Sequence, residues 1–380
     1  MKQTYRCWAE VDLGALRENL QWIRHRVGPD VKIMTVVKAD AYGHGLRQIA
    51  ALLMQNGTDI FGVANLAEAR SIRSVGRGWP ILMLGACLPD EVESAVRDEV
   101  MPTISSFKEA RLFSTTADKM NKVARLHLKV DTGMGRLGME PEKALRTINQ
   151  IQSLENVELE GLYTHYSSVE DDARISREQA NRFRKLVEEV RRHKIPIPFI
   201  HVNNSGALLH ETGTMYNLVR PGLLVYGVAP NGKRTSDMTL QRHLRPVLSL
   251  KCRVSFIKVI SKGSSLSYGG TFVAARKMRV ATLAAGYGDG YMRAASNRAS
   301  VLVGGRRCPV LGRITMDQMI VDVSHLPGVE VGDEAVLIGC QRDEEISAIE
   351  LGTWSGTIPW EVLTNINQRV PRLYSGGQAA

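Results

Sequence analysis

The feature that most constrains this chain is an alternation. From Ile33 onward, short apolar runs alternate with longer segments of helical period. Strand-like runs fall at Ile33–Val37, Ile60–Ala64, Ile81–Leu84, Met101–Ile104, Ala124–Val130, Val157–Tyr163, Phe199–Asn203 and Asn217–Val219. Helical patterns separate them at Leu46–Gln55, Leu66–Ser74, Asp90–Arg97, Lys108–Lys119, Pro141–Ile151, Ile175–His193 and Ser205–His210. Eight strands alternating with helices over about 200 residues is the count of a (β/α)8 TIM-type barrel. A doubly wound open sheet is the alternative, because alternation alone does not prove closure.

The flanks read differently. Arg6–Val11 is a short strand, and Asp12 can cap a helix over Leu13–Arg26. The character changes near Asn231–Ser236, a polar, Gly-containing loop. Beyond it the chain is dense in strands and turns, with candidates at Val247–Ile260, Met278–Ala285, Ser300–Val303, Met319–Val323 and Ala335–Ile338. Only Ala348–Trp354 and Trp360–Asn365 have helical period there. The expectation is an α/β barrel domain over 1–240 and a mainly β domain over 241–380, each long enough to bury its own core. Arg6–Val11 has no place in the barrel count and is expected to pair with the second domain.

Composition excludes several classes. No apolar run approaches the roughly 20 residues of a membrane span. The N-terminal stretch lacks the apolar segment of a signal peptide, which points to a cytoplasmic protein. Five cysteines are odd in number, widely spaced and without a Cys-x-x-Cys, so neither a disulfide framework nor a metal site is expected. The net charge of +10 raises the question of nucleic acid. Yet the densest basic cluster, from Arg182 to Arg192, has Glu188 and Glu189 between its basic groups. That is the solvated face of a long helix, and no nucleic-acid partner is expected.

In a barrel the working side chains project from the C-terminal ends of the strands. Lys38 stands at the end of the first strand, where desolvation lowers an amine's pKa and frees it to attack a carbonyl. Asp131–Arg136 follows the fifth strand, Thr164-His165 the sixth, Asn203–Gly206 the seventh and Arg220–Leu223 the eighth. Taken singly, each has a bland explanation as a core histidine, a surface charge or a turn. Five placements on one rim do not. Ser205 and Gly222-Leu223 occupy the loops after strands seven and eight, where barrels often bind phosphate through backbone N–H groups.

Several separated motifs sharpen this. They are Val-Val-Lys-Ala-Asp-Ala-Tyr-Gly-His-Gly (36–45), Lys-Val-Asp-Thr-Gly-Met-Gly-Arg-Leu-Gly (129–138), His-Val-Asn-Asn-Ser (201–205), Val-Arg-Pro-Gly (219–222), Ser-Tyr-Gly-Gly-Thr-Phe (267–272), Gly-Tyr-Gly-Asp-Gly-Tyr (286–291), Gly-Arg-Ile-Thr-Met-Asp-Gln (312–318) and Arg-Val-Pro-Arg (369–372). Along nearly the whole chain they resemble the alanine racemases.

That resemblance implies a barrel with a β-rich C-terminal domain, pyridoxal 5'-phosphate as cofactor, alanine as substrate, and a homodimer whose active sites are completed across the interface. By the same resemblance, Lys38 holds the cofactor and is one base, and Tyr268 of the partner subunit is the opposing base. Arg220 faces the pyridine nitrogen and His165 links it towards Tyr268. Tyr42, Ser205, Gly222 and Leu223 hold the phosphate, and Asn204 joins the cofactor set. Arg136 steadies the substrate carboxylate or the cofactor's phenolic oxygen, oriented by Lys129, which matches a lysine carbamylated in many members. Met316 and Asp317 stand by the substrate, and Tyr287 with Arg293 lines the entrance channel of the partner's site.

Trp360 occupies a position where most members have a phosphate-binding tyrosine, so its indole is a departure in the cofactor set. Thr315, just before Met316, is a milder variation. A related decarboxylase is the nearest rival, but its Cys-Glu-Ser-Gly-Asp motif is absent. The small pyridoxal-phosphate-binding homeostasis proteins lack a second domain. A racemase of broad amino-acid specificity stays open.

Overall fold

Eight parallel strands close on themselves: β2 (Lys32–Val36), β3 (Ile60–Val63), β4 (Ile81–Ala86), β5 (Met101–Ile104), β6 (Ala124–Lys129), β7 (Val157–Tyr163), β8 (Phe199–His201) and β9 (Leu218–Val219). Strand β2 pairs with β3 through Met34↔Ile60 and with β9 through Lys32↔Leu218. Because the first and last strands pair with each other, the sheet has no open edge, which decides for the barrel over the open sheet. The computed structural model describes residues 5–210, 212–230 and 243–377. The polar loop Asn231–Ser236 and the expected boundary at 240/241 lie outside the described residues.

The helices around the barrel arise from their sequences. The helix Leu46–Gln55 buries Leu46, Ile49, Ala50 and Leu53, the i, i+3, i+4, i+7 stripe of an amphipathic helix. Asn65, Ser106 and Asp172 each accept backbone N–H groups as N-caps of Leu66–Arg73, Phe107–Lys119 and Ala173–Arg192. Such a cap stabilises a helix by about 1 kcal/mol. In Ala173–Arg192, Phe183, Leu186, Val187 and Val190 face inward while Arg184 pairs with Glu188 at the surface. The barrel interior is layered, and one apolar layer holds Met34, Ile60, Leu82, Met101 and Leu218.

By internal contacts the barrel forms one compact unit, Arg17–Ala41 with Gly45–Leu244, and the remaining described residues form another. In the second unit β1 (Cys7–Asp12) pairs antiparallel with the long β10 (Leu248–Ile260) and parallel with the last strand, Arg372–Ser375. The register of β10 shifts between Val254 and Phe256; its later residues pair with Met278–Leu283.

Several short elements differ from the sequence expectation. The helix expected over Asp90–Arg97 is a 3₁₀ turn, Pro89–Glu91, continued by Val92–Arg97. Strands Arg306–Pro309, Glu344–Ile346 and Arg372–Ser375 have no counterpart in the sequence pattern, nor does the hairpin of Ser265–Leu266 and Phe272–Val273. All are too short for a period to register.

Candidate active site

Lys38 leaves the end of β2 half-buried, with no ion pair among the described residues. Burial lowers its pKa, and the nearby Arg136 lowers it further against a smaller opposing effect of Glu68. An amine so placed is neutral more often than an ordinary lysine.

The residues after it form a single left-handed turn. Ala39, Asp40, Ala41 and Tyr42 have φ of 53–54°, and Gly43 has φ 80°. Left-handed helix costs about 1–2 kcal/mol per non-glycine residue, so the surroundings must impose it. Glu68 grips the start: its two carboxylate oxygens accept the N–H groups of Ala39 and Ala64, each at 2.7 Å. Asp40 accepts the Leu46 N–H at 2.7 Å and fixes entry to the next helix. At the far end the Gly43 carbonyl accepts two bonds from Arg372, at 2.9 and 3.0 Å. A Cβ on Gly43 would collide with the Leu363 carbonyl oxygen. The turn sends the backbone beyond Lys38 away from the path a right-handed helix would take.

Arg220, after β9, lies on the floor of the rim and is 3 % exposed. Its guanidinium donates to the carbonyls of Thr164 (2.8 Å) and Val202 (3.0 Å), to His201 Nδ1 (2.7 Å) and to His165 Nδ1 (3.3 Å). Burial pulls Arg220 down to about 10, so it stays charged at neutral pH. Burial first, then Arg220, pushes His165 and His201 well below the usual imidazole range, which keeps both neutral. Tyr163 stacks on His201 at 4.6 Å, and Lys129 and Arg220 lie over its ring at 5.7 and 5.1 Å. Lys129 is 2 % exposed and is pulled down to about 8 by burial, then by Arg136 and Arg220.

The loop carrying Arg136 is wound around one carboxylate. Asp131 accepts the N–H groups of Gly133 (2.9 Å), Met134 (2.8 Å) and Gly135 (2.9 Å). Gln179 ties this loop to the one after β7: its amide donates to Thr132 Oγ1 (3.4 Å) and the His165 carbonyl (3.1 Å), and its oxygen accepts the Ser167 N–H (2.9 Å). Across the rim, Ser205 Oγ accepts the N–H groups of Gly222 (2.9 Å) and Leu224 (3.4 Å). Asn204 caps the helix Ser205–Leu209 through the Ala207 N–H. The barrel therefore brings together Lys38, Lys129, Arg136, His165, Asn204, Ser205, Arg220, Gly222 and Leu223.

The other sequence-derived residues belong to the second unit. Tyr268 is 70 % exposed at the tip of the Ser265–Val273 hairpin. Ser267 Oγ donates to the Arg313 carbonyl at 2.5 Å, placing the hairpin beside Gly312-Arg313. The same stretch continues to Thr315 and Met316, whose carbonyls accept the N–H groups of Tyr287 (3.0 Å) and Gly288 (2.7 Å). Arg369 bridges Asp289 and Asp317, each at 2.8 Å. Its motif in the sequence suggests no role for Arg369; in the fold it holds Asp317 beside Tyr287. Arg293 is exposed at the start of a 3₁₀ turn whose Ala295 is buried. Tyr42 is buried, and Trp360 is half-buried on the helix Pro359–Asn365, whose Leu363 abuts Gly43.

The charge on the rim defines what fits it. Lys38, Lys129, Arg136 and Arg220 form no ion pair among the described residues, and the nearest acids, Glu68 and Asp131, are occupied by backbone N–H groups. A half-buried amine of lowered pKa with an excess of cations suits an aldehyde bearing a phosphate together with a carboxylate substrate. No cluster of three or more potential metal ligands occurs among the described residues.

The chain is similar throughout to one family of proteins. Two family models match: the alanine racemase N-terminal domain over residues 11–230 and the C-terminal domain over 247–374. The alanine racemase of Halothermothrix orenii is 40 % identical over 97 % of this chain and 96 % of its own length. Among solved structures, an alanine racemase from D-cycloserine-producing Streptomyces lavendulae is similar with a TM-score of 0.92, at 32 % identity, covering 99 % of both chains. One from Bartonella henselae, with covalently bound pyridoxal phosphate, has a TM-score of 0.87 at 28 % identity and covers 98 % of this chain and 100 % of that one.

Proposed function

This chain belongs to the alanine racemase family, and from that membership we propose how its own residues interconvert L- and D-alanine. The observation that carries the reading is the lysine of lowered pKa at the end of β2, on a rim whose cations have no ion pairs among the described residues.

Racemisation takes the α-proton from one face of the amino acid and returns a proton to the other. It needs two proton-transferring groups on opposite sides. Pyridoxal phosphate, bound through Lys38, supplies the electron sink that makes the α-proton acidic. Lys38 Nζ, free once the substrate's amine takes its place on the cofactor, would move the proton on one face, with its neutral form favoured by burial and Arg136. Tyr268 of the partner subunit serves the other face; its exposure on a hairpin tip is what a residue completing a neighbour's site requires. His165 supports it. Because Arg220 can only donate, His165 Nδ1 must accept, which leaves Nε2–H to donate to a phenolate oxygen.

Arg220 would face the cofactor's ring nitrogen as a donor that stays charged, and so would leave no proton there. Ser205 and Asn204 with the backbone of Gly222 and Leu223 would hold the phosphate. Arg136 holds the substrate carboxylate. Lys129, pulled down to about 8, has a larger share of the free amine that carbamylation by carbon dioxide needs than an ordinary lysine, and once carbamylated would orient Arg136. Met316, Asp317, Tyr287 and Arg293 shape the access of alanine, and five free thiols suit the reducing cytoplasm.

Chiral analysis of L-alanine incubated with the purified, cofactor-loaded protein in deuterated water tests the reading. D-alanine carrying deuterium at the α-carbon is expected. An unchanged enantiomer ratio would refute it.

A further inference from the structure

We propose that His127, which lies inside the barrel and touches no part of the rim, is a positioning residue for Arg220. The connection runs through His201. Arg220 Nη1 lies 2.7 Å from His201 Nδ1, and a guanidinium has no acceptor, so Nδ1 must be unprotonated. A neutral His201 then carries its proton on Nε2, and that N–H points at His127 Nδ1, 3.0 Å away. His127 Nδ1 must in turn accept, so its own proton sits on Nε2, which has no partner among the described residues. One guanidinium therefore sets the direction of the whole chain and fixes the tautomer of both rings.

The barrel is built to permit this contact. His127 is on β6 and His201 on β8, with β7 between them. The register aligns His127 with Gly161 and Gly161 with Phe199, then Lys129 with Tyr163 and Tyr163 with His201. The His127 ring reaches across β7 only because Gly161 has no side chain; a Cβ there would collide with the ring. Phe199 stacks on the far side of His127 at 6.3 Å. Both imidazoles are fully buried. Without the His127 acceptor, the His201 N–H is an unsatisfied donor in a dry interior. The His201 ring then gains from turning away, and Arg220 loses its shortest bond to a side chain. The proposal rests on the reading in which Arg220 meets the cofactor's ring nitrogen.

The test separates the two ideas. Nitrogen-15 NMR of histidine-labelled protein, without and with cofactor, is expected to show His201 neutral, protonated on Nε2 and bare on Nδ1; His201→Asn assigns the signals. His127→Leu removes the acceptor, whereas His127→Asn places an amide oxygen near the position of Nδ1. His127→Leu should lower kcat about tenfold, the scale of one lost buried hydrogen bond, with KM for alanine little changed, and His127→Asn should restore most of it. In a His201→Asn background, His127→Leu should have no further effect. Gly161→Ala, which displaces the ring without removing it, should reproduce the kcat loss if His127→Leu does not fold. A His201 protonated on Nδ1, or an imidazolium, would overturn the proposal, as would His127→Asn and His127→Leu with equal kinetics. If instead the tautomers are as described but Arg220→Lys leaves kcat unchanged, the placement of Arg220 at the ring nitrogen fails.

Discussion

At the residue scale, the chemistry depends on how a lysine keeps a neutral amine near neutral pH. Burial beside Arg136 lowers the pKa of Lys38 and shifts it in that direction. Lys38→Ala should therefore abolish both the visible absorbance of the lysine-bound cofactor and racemisation; normal cofactor colour with full activity would remove Lys38 from the mechanism. Lys129 offers a test in the cofactor-free protein, in buffer freed of carbon dioxide. Its folded value, about 8, lies below that of a lysine in an unfolded chain. Between those values the unfolded chain binds more protons, so stability rises with pH from about 8 to about 10.4 and the penalty is full below that window. Lys129→Met should flatten that rise in urea unfolding measured across the window. An unchanged slope would assign the rise to other groups. Lys38, His165 and Arg220 stand out in the sequence only together, because several reactive side chains fall at the strand ends of one rim while each alone has a bland explanation. His127 and Gln179 do not. A histidine inside a strand and a glutamine inside a helix read as ordinary lining, and only the fold shows what they touch.

At the scale of elements, the eight barrel strands are legible because each is an apolar run bounded by turn residues. The left-handed turn after Lys38 is not. Lys-Ala-Asp-Ala-Tyr is composed largely of residues that accept a right-handed helix, and nothing in it calls for the opposite hand. The hand is imposed from outside by Glu68 at Ala39 and by Arg372 at Gly43, and the turn's own Asp40 anchors it to Leu46. This predicts a reversal of sign. Ala39→Gly relieves an unfavourable φ and should leave the protein between equally stable and about 1 kcal/mol more stable. Ala51→Gly, in the right-handed helix Leu46–Gln55, should destabilise by about 1 kcal/mol. Urea midpoints of the two variants decide it, and equal losses would mean that the turn carries no strain.

At the scale of the whole molecule, the exposed residues of the second unit raise a question that a single chain does not answer. Phe256, Val259, Tyr268 and Val273 are each more than half exposed on β10 and the Ser265–Val273 hairpin. Large apolar side chains left exposed invite the question of a surface that binds a partner. In the proposed mechanism that partner is a second copy, and each catalytic centre takes Lys38 from one chain and Tyr268 from the other. The sequence carries the barrel and its β-rich companion, whereas which chain supplies which base is a property of the assembly and leaves no local pattern. The most direct measurement mixes two inactive proteins, Lys38→Ala and Tyr268→Phe, under conditions of subunit exchange. A mixed dimer has one centre lacking both groups and one with both intact. With random exchange, half the dimers are mixed, so about a quarter of all centres should regain wild-type racemisation. If mixed dimers form, as shown by mass spectrometry, and no activity returns, the division of the two bases between subunits is wrong.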